Sequence, residues 1–487
     1  MKSLKDILYG VRLAAVTGST AKMVNTICFD SRDVGMDDVF VATRGTQTDG
    51  HQYIDSAVKS GANTVVCEEI PEELVNEVTY IQVDNAQSAL AVMAANYYGN
   101  PSRNLKLVGV TGTNGKTTVS SLLYQLFRKA GYKVGLISTI KIMVGDKEYA
   151  TRHTTPDAMV INKHLALMSE EGVEFCFMEV SSHGIAQKRT EGLYFEGAIF
   201  TNLSHDHLDY HETFAAYRDT KKLLFDNLPK TAFALSNIDD KNGYVMLQNT
   251  KARKFTYALK TYADFRAQIL ENQFSGQLLK IGENEFWTRL IGHFNAYNVL
   301  AIYAAAELLG LETLEILRLI SELETVDGRF QYFISDKKIT AIVDYAHTPD
   351  ALKNVLITIN ALRTGNENVI TVVGCGGDRD KSKRPVMGHI ATELSTQVIF
   401  TSDNPRSEDP SKIIEDMEAG VEPQNTRKVL AIESREQAIK TACKMASEQD
   451  IILIAGKGHE TYQETKGKRV DFDDFKKVRD MLTELQK

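Results

Sequence analysis

The chain predicts an α/β protein of three units in series, the second and third each built on a parallel sheet. Three observations carry that reading. Its 487 residues divide into roughly three domains at about 150 residues each. Short apolar runs alternate with helical patterns, as in doubly wound sheets. The alternation restarts near residue 330, and a first unit closes at the turn-rich segment GNPSRN, 99–104. The predicted boundaries are 1–102, 103–332 and 333–487.

The first unit reads as a small α/β domain. In the second, residues 105–110 form an apolar run that suits a buried parallel strand, followed by a glycine loop. A helix comes next, because Val119, Leu122, Leu123, Leu126 and Phe127 recur at helical spacing. Arg128 and Lys129 suit its last turn and Gly131 its end. Further strands are predicted at 134–138, 175–180, 198–203 and 233–237. The third unit has strands at 339–344, 369–373, 398–401, 429–432 and 451–454.

Composition narrows the function. Lys+Arg is 56 and Asp+Glu is 64, a net charge of −8, which argues against a general nucleic-acid binder. A polyanionic small ligand stays open, since a site needs only local positive charge. No apolar run reaches the ~18 residues of a membrane span, and Lys5, Asp6 and Arg12 interrupt the N-terminus, so no signal peptide is read. Cys28, Cys67, Cys176, Cys375 and Cys443 are far apart and contain no CxxC. Neither a disulfide framework nor a cysteine zinc site is expected. A cytoplasmic protein is the consequence.

The sharpest signal is VGVTGTNGKTT, residues 108–118, lying between a strand and a helix. Its glycines let backbone N–H groups approach phosphate oxygens at a helix N-terminus. Lys116 would reach the β/γ-phosphates and Thr117 a Mg²⁺ ion. Val110 stands where the usual GxxxxGK[ST] loop has its first glycine, so the loop is a shorter variant running from Gly112.

Ligands of open α/β sheets sit at the carboxyl ends of strands. Glu179, in MEVSSH, falls at one, and a carboxylate there suits Mg²⁺. SHDHLDYH, 204–211, carries three His and two Asp; zinc, Mg²⁺ and simple solvation are all open readings. In the helix predicted at 214–225, Lys221 shares the apolar stripe of Phe214, Tyr217 and Leu224, unlike Lys222. Burial would favour a neutral amine, which can take up CO₂ as a carbamate; a snorkelling lysine is the plain alternative.

Four polar loops follow strands of the third unit: DYAHTPD (344–350), GCGGDRD (374–380), DNPR (403–406) and GKGHE (456–460). Together they make a crevice. Arg379 and Arg406 in it suit carboxylate or phosphate, which guanidinium pairs bidentately.

GTNGKTT, MEVSSHG, NLSHDHLDYH, DYAHTPDAL, GCGGDRDKSKRP, DNPR and AGKGHE, in this order, closely resemble the Mur ligase family over about residues 30–460. The resemblance implies an N-terminal UDP-sugar domain, a central ATPase domain and a C-terminal Rossmann-like amino-acid domain. It implies amide-bond formation driven by ATP, in cytoplasmic peptidoglycan precursor synthesis. DNPR resembles the branch that adds meso-diaminopimelate, rather than L-lysine, to UDP-N-acetylmuramoyl-L-alanyl-D-glutamate.

By this likeness Ser31, Thr46, Gln47 and Thr48 would hold the uridine diphosphate end. Thr154, Thr155, Ser181, Gln187 and Arg189 would hold the muramoyl-peptide part; His153 replaces the frequent Asn before Thr-Thr. Gly112, Thr113, Asn114, Gly115, Lys116, Thr117 and Thr118 would bind ATP, with Asn298 near adenine and Arg329 and Asp344 near the phosphates and ribose. Thr117, Glu179, His207 and Lys221 as its carbamate would support Mg²⁺, with Lys116 completing the catalytic set. Arg379, Asp403, Asn404, Pro405, Arg406, Gly456 and Glu460 would grip diaminopimelate. A monomer is expected. The competing readings are a lysine-adding ligase of the same family, a relative such as folylpolyglutamate or cyanophycin synthetase, a phosphate-loop nucleotide switch, and a zinc hydrolase using the 205–211 histidines.

Overall fold

A computed structural model describes residues 1–45, 48–151, 153–204, 206 and 208–487, with the side chains of all but Leu208 and Asp209. Three large sheets succeed one another along the chain. The first has five strands in the order Leu13–Thr17, Thr79–Val83, Thr64–Cys67, Val39–Val41, Ile27–Cys28. Only its Leu13–Thr17 edge is antiparallel.

The central sheet has eleven strands. Its parallel core runs Val134–Ile137, Phe175–Glu179, Lys106–Thr111, Gly197–Phe200, Phe233–Asn237, Arg253–Ala258, Phe265–Gln273. Core strands such as Phe175–Glu179 and Phe233–Asn237 are buried throughout. Helices cover both faces. Val119, Leu122, Leu123, Leu126 and Phe127 of helix Lys116–Lys129 are fully buried on one face, as their spacing predicts, together with helix His293–Leu308. Helices Ala158–Glu170 and Phe214–Asp226 pack on the other.

The sheet is mixed rather than purely parallel. Ile142–Val144 and Lys147–Tyr149 add antiparallel strands at one edge, and Gly276–Ile281 and Asn284–Thr288 at the other. Phe265–Gln273, which joins the second edge to the core, is largely uncovered, which an antiparallel edge permits and a two-sided parallel core does not.

The third sheet is ordered Gln331–Ile334, Thr340–Asp344, Ile451–Ala455, Val369–Val373, Gln397–Phe400, Val429–Ala431, again with one antiparallel edge, Gln331–Ile334. The five predicted strands of this unit all form. Its floor is braced by a fully buried ion pair, Arg435–Asp474, at 2.7 Å. Arg435 also donates to the Ala455 carbonyl at 3.1 Å, at the end of a central strand. No helix among the described residues is long and apolar enough to cross a membrane.

Removing one member of a buried pair strands the other charge. Asp474→Ala is expected to cost about 3–5 kcal/mol. Hydrogen exchange along Ile451–Ala455 should accelerate while Lys106–Thr111 keeps its protection; equal loss in both strands would contradict this account.

Candidate active site

The central sheet reverses winding direction at Lys106–Thr111: the chain leaves this strand toward Val134–Ile137 on one side and leaves its neighbour Gly197–Phe200 toward Phe233–Asn237 on the other. Such a switch point opens a crevice at the carboxyl ends. Register brings Glu179 level with Val110 and Phe200 level with Thr111, so the glycine loop, Glu179 and Asn202 converge. A cleft of about 1890 Å³ begins here and extends to the loops of the third sheet.

The loop from Gly112 to Gly115 leads into helix Lys116–Lys129. Gly112 has φ 152°, and a Cβ there would stand 2.0 Å from Thr201 Oγ1. The loop is tied down from behind: Asn114 N–H donates to Asn202 Oδ1 at 2.9 Å, and Thr201 Oγ1 to the Asn114 carbonyl at 2.6 Å. Lys116 folds back, donating to the Gly112 and Thr113 carbonyls at 3.0 and 2.9 Å. Burial lowers its pKa; Glu179 and Asp206 pull the other way.

Glu179 is wholly buried. Its carboxylate accepts from Thr117 Oγ1 at 3.0 Å, Thr139 N–H at 2.7 Å and Thr139 Oγ1 at 3.0 Å. Arg329 Nη2 donates to Thr117 Oγ1 at 3.0 Å, which brings it to the loop as expected. Thr139 carries no motif and sequence reasoning missed it.

Lys221 lies 1% exposed, donating to the Gly112 carbonyl at 2.9 Å over the Tyr217 ring. Burial, reinforced by Lys116, drives its pKa well below the usual value. Lys222 is a correction: it too is buried, paired with Asp226 at 2.6 Å. Among the described residues no group of three or more His, Cys, Asp and Glu stands together as a metal site. His205 and His207 lie outside the described residues, as do Thr46 and Gln47.

His153, Thr154, Thr155, Ser181, Gln187 and Arg189 line one side of the cleft. Thr155 Oγ1 donates to the Glu179 carbonyl at 2.8 Å and accepts from Ser181 N–H at 2.9 Å. Arg189 donates to the Thr155 carbonyl at 2.6 Å and Gln187 Oε1 at 2.5 Å. Ser31 and Thr48 stand on the first unit and are not among the described residues lining this cleft. Asn298 meets the loop at Gly115, where a Cβ would approach its Oδ1 to 2.7 Å.

The opposite wall comes from the four loops of the third sheet. Arg406 has φ 51° and donates through Nη1 to the Gly377 carbonyl at 2.6 Å. Its backbone pairs with the hairpin of strands Tyr462–Thr465 and Lys468–Asp471, through Arg406 N–H to the Glu464 carbonyl at 3.1 Å. Arg379 is exposed beside it. Asp403 packs against Gly456, where a Cβ would come within 2.5 Å of its Oδ2. Asn404 Nδ2 donates to Glu460 Oε2 at 2.7 Å. Burial and the Asp403 charge push the Glu460 pKa up. Pro405 is not among the described residues lining the cleft, and its carbonyl lies against Gly377. Lys457, fully buried among these groups, was not foreseen.

The walls already touch. Asn114 Nδ2 of the phosphate loop donates to Asp350 Oδ2 of the third unit at 2.8 Å. Arg329 lies 4.5 Å over the Tyr345 ring. Fold and cleft thus define a phosphate-loop protein whose loop faces, across one polar cleft, the charged loops of a second α/β sheet.

Comparison with known proteins agrees. The family descriptions "Mur ligase middle domain", "Mur ligase, glutamate ligase domain" and "Mur ligase family, catalytic domain" match residues 110–306, 328–458 and 23–98. The UDP-N-acetylmuramoyl-L-alanyl-D-glutamate–2,6-diaminopimelate ligase of Cytophaga hutchinsonii is 52% identical over 99% of this chain and 100% of its own. The ligase of the same name from Phocaeicola vulgatus is 52% identical over 98% and 99%. A solved structure with that name has TM-score 0.70 at 32% identity, covering 100% of this chain and 99% of that one. The MurF ligase of Thermotoga maritima, solved with ADP, shares the fold at TM-score 0.62 and 19% identity over 95% and 97%. The chain belongs to the Mur ligase family and is an ATP-dependent ligase that forms amide bonds.

Asp344, at the end of the third unit's first parallel strand, accepts from Phe330 N–H at 2.7 Å. Burial pushes its pKa up to about 6, with Arg329 opposing. An acid whose folded value is raised costs stability as pH climbs from about 4 through about 6. Asp344→Asn is therefore expected to stabilise the ligand-free chain by about 1–3 kcal/mol at pH 8. The gain should fade toward pH 4. Urea unfolding at both pH values checks it, and a pH-independent gain would refute it.

Proposed function

We propose that this cleft joins meso-diaminopimelate to the free D-glutamyl carboxylate of UDP-N-acetylmuramoyl-L-alanyl-D-glutamate, with ATP split to ADP and phosphate. The step belongs to cytoplasmic peptidoglycan precursor synthesis, and one chain acting as a monomer suffices. The observation that carries the reading is a wall with Arg406 and Arg379 beside Asp403 and Glu460, opposite a phosphate loop. Diaminopimelate ends in a carboxylate and an ammonium, and this wall has a partner for each. Lysine would leave Arg406 unpaired and bring a cation toward it.

The carboxylate attacks the γ-phosphorus, forming an acyl phosphate and releasing ADP. The free amine of diaminopimelate then attacks the acyl carbon, and phosphate leaves as the amide forms. Two anions meet in the first step, so catalysis is chiefly positioning and charge screening. Lys116 would exchange its carbonyl partners for phosphate oxygens at the N-terminus of helix Lys116–Lys129. Ser31, Thr46, Gln47 and Thr48 hold the uridine diphosphate end on the first unit; Thr154, Thr155, Ser181, Gln187 and Arg189 hold the peptide end. Asn298 lies toward adenine, and Arg329 and Asp344 toward the phosphates and ribose.

Mg²⁺ fits the donor set on chemical grounds: Thr117 and Glu179 offer oxygen donors in contact, as a hard cation requires. Bound there, it would neutralise phosphate charge. His207 would complete the set. The depressed, buried amine of Lys221 suits carbamate formation, which converts a cation beside Lys116 into an oxygen donor.

Phosphate release is expected from Mg-ATP and the UDP-muramoyl dipeptide only when diaminopimelate is added, with a tripeptide product by mass spectrometry. Turnover with L-lysine instead would overturn the amino-acid assignment. Release without any acceptor would favour a nucleotide switch. Lys221→Ala should lose activity by at least about 100-fold, with partial recovery on adding a small carboxylate; near-normal activity would remove the carbamate.

A further inference from the structure

Lys457 is a buried cation for which the reaction has no use. Its side chain is 0% exposed, and burying an ammonium is tolerated only with full pairing. It has three acceptors for three N–H donors. They are Asn404 Oδ1 at 3.2 Å, Glu460 Oε2 at 3.3 Å and the Tyr462 carbonyl. The same two side chains bond each other, Asn404 Nδ2 to Glu460 Oε2 at 2.7 Å, and Asn404 Oδ1 accepts from Glu464 N–H at 2.8 Å. One ammonium therefore knits three segments: the loop after strand Gln397–Phe400, the loop after strand Ile451–Ala455, and the hairpin whose backbone pairs with Arg406.

We infer that Lys457 is a positioning and specificity-determining residue: its buried ammonium orients Glu460 and Asn404 toward the amino-acid substrate and supplies the fixed positive charge that makes the pocket select a zwitterionic end group over a cationic one. The inference rests on the proposed function and deepens it.

Asp403 and Glu460 face one pocket, and two carboxylates without a cation repel. Lys457 supplies that cation in contact with Glu460 before any substrate arrives. Both bonds fall on Glu460 Oε2, which turns the carboxylate about a fixed oxygen. Charge counting gives the selectivity. Asp403 and Glu460 contribute two negative charges and Lys457, Arg406 and Arg379 three positive ones, while Asp380 with Lys383 and Glu464 with Arg469 add opposite charges that cancel. The pocket's net charge is then positive, which opposes the extra charge of lysine and accepts the neutral far end of diaminopimelate. Without Lys457 the sum falls to zero and that discrimination weakens.

Other groups face the pair. Asp403 raises the Glu460 pKa, Tyr345 and Tyr462 lie beside Glu460, and His459 lies beside Lys457 and is held neutral, at about 3. Arg435 feels Glu460 but is committed to Asp474. Lys457 is the cation bonded to Glu460 and favours its ionised form.

The test is steady-state kinetics of the full chain and of Lys457→Met and Lys457→Gln, with diaminopimelate and L-lysine as acceptors, across pH. The unsubstituted chain comes first: no diaminopimelate turnover there defeats the functional reading and this inference with it. Given turnover, KM for diaminopimelate should rise about tenfold or more in the variants, with kcat changed less than about threefold. The kcat/KM ratio of diaminopimelate to lysine should fall by a similar factor. The acid limb of kcat/KM should move up by about one pH unit, since Glu460 loses the cation that keeps it ionised. A merely structural lysine would move neither limb nor ratio, so constancy of either overturns the inference. Failure of both variants to fold, judged by ATP binding and thermal unfolding, overturns it as well.

Discussion

A carboxylate buried at the end of a strand costs several kcal/mol unless its lone pairs are satisfied, and Glu179 meets that constraint with hydroxyl and backbone donors alone. Thr117 and Thr139 supply them. Those donors are neutral, and the carboxylate's charge acts on Lys116 of the phosphate loop. The glycine loop and the helix that begins at Lys116 are arranged about that charge, and Lys221 bonds the loop from its other side at the Gly112 carbonyl. Gly112 completes the arrangement, since Thr201 leaves no room for a side chain.

The units are joined in different ways. Helix Ala86–Tyr97 of the first packs against helix Ala158–Glu170 of the second through alanines and Ala158, and Ser88 bonds Glu191 at 2.6 Å. The third meets the second through a polar bond over the phosphate loop, Asn114 to Asp350, while Arg329 and Phe330, just ahead of the third sheet's edge strand, reach Thr117 and Phe294. Polar bonds can be exchanged for bonds to water or a ligand at little net cost, whereas apolar packing cannot. The polar junction is thus the one that a nucleotide's phosphates can rearrange, which suits assembly of a site from two walls.

The wall built by the loops of the third sheet is a problem of charge at close quarters. Arg384, buried and paired with Glu408 and Asp416 at 2.8 Å, holds the segment behind it. Glu408 also accepts from Asp378 N–H at 2.6 Å, and Ser407 bonds the Asp378 carboxylate. The loops carrying Arg379 and Arg406 are thereby clamped to each other, with Asp378 and Arg406 both at positive φ. Clamping removes backbone freedom from the two arginines before any ligand binds, which is how preorganisation raises affinity.

Much of this was legible in the residues. Apolar periodicity marked the buried strands and the helix behind the phosphate loop, because fully covered elements must be apolar throughout. Short motifs at strand ends marked Gly112–Lys116, Glu179, Arg406 and Glu460, and the apolar stripe of its helix marked Lys221. The antiparallel edges were not legible: a half-covered strand such as Phe265–Gln273 has a weak pattern. Thr139 carried no motif, and Lys457 and Asp350, although inside GKGHE and DYAHTPD, were given no role, for a different reason. A threonine, a lysine or an aspartate gains a role only from what folding brings to it from far along the chain, and hydrogen bonds reach about 3 Å. Sequence alone determined which chemistries the chain carries. Tertiary structure decided which charges are buried together, and burial decides whether a charge is a solvated ornament or a working part of the site.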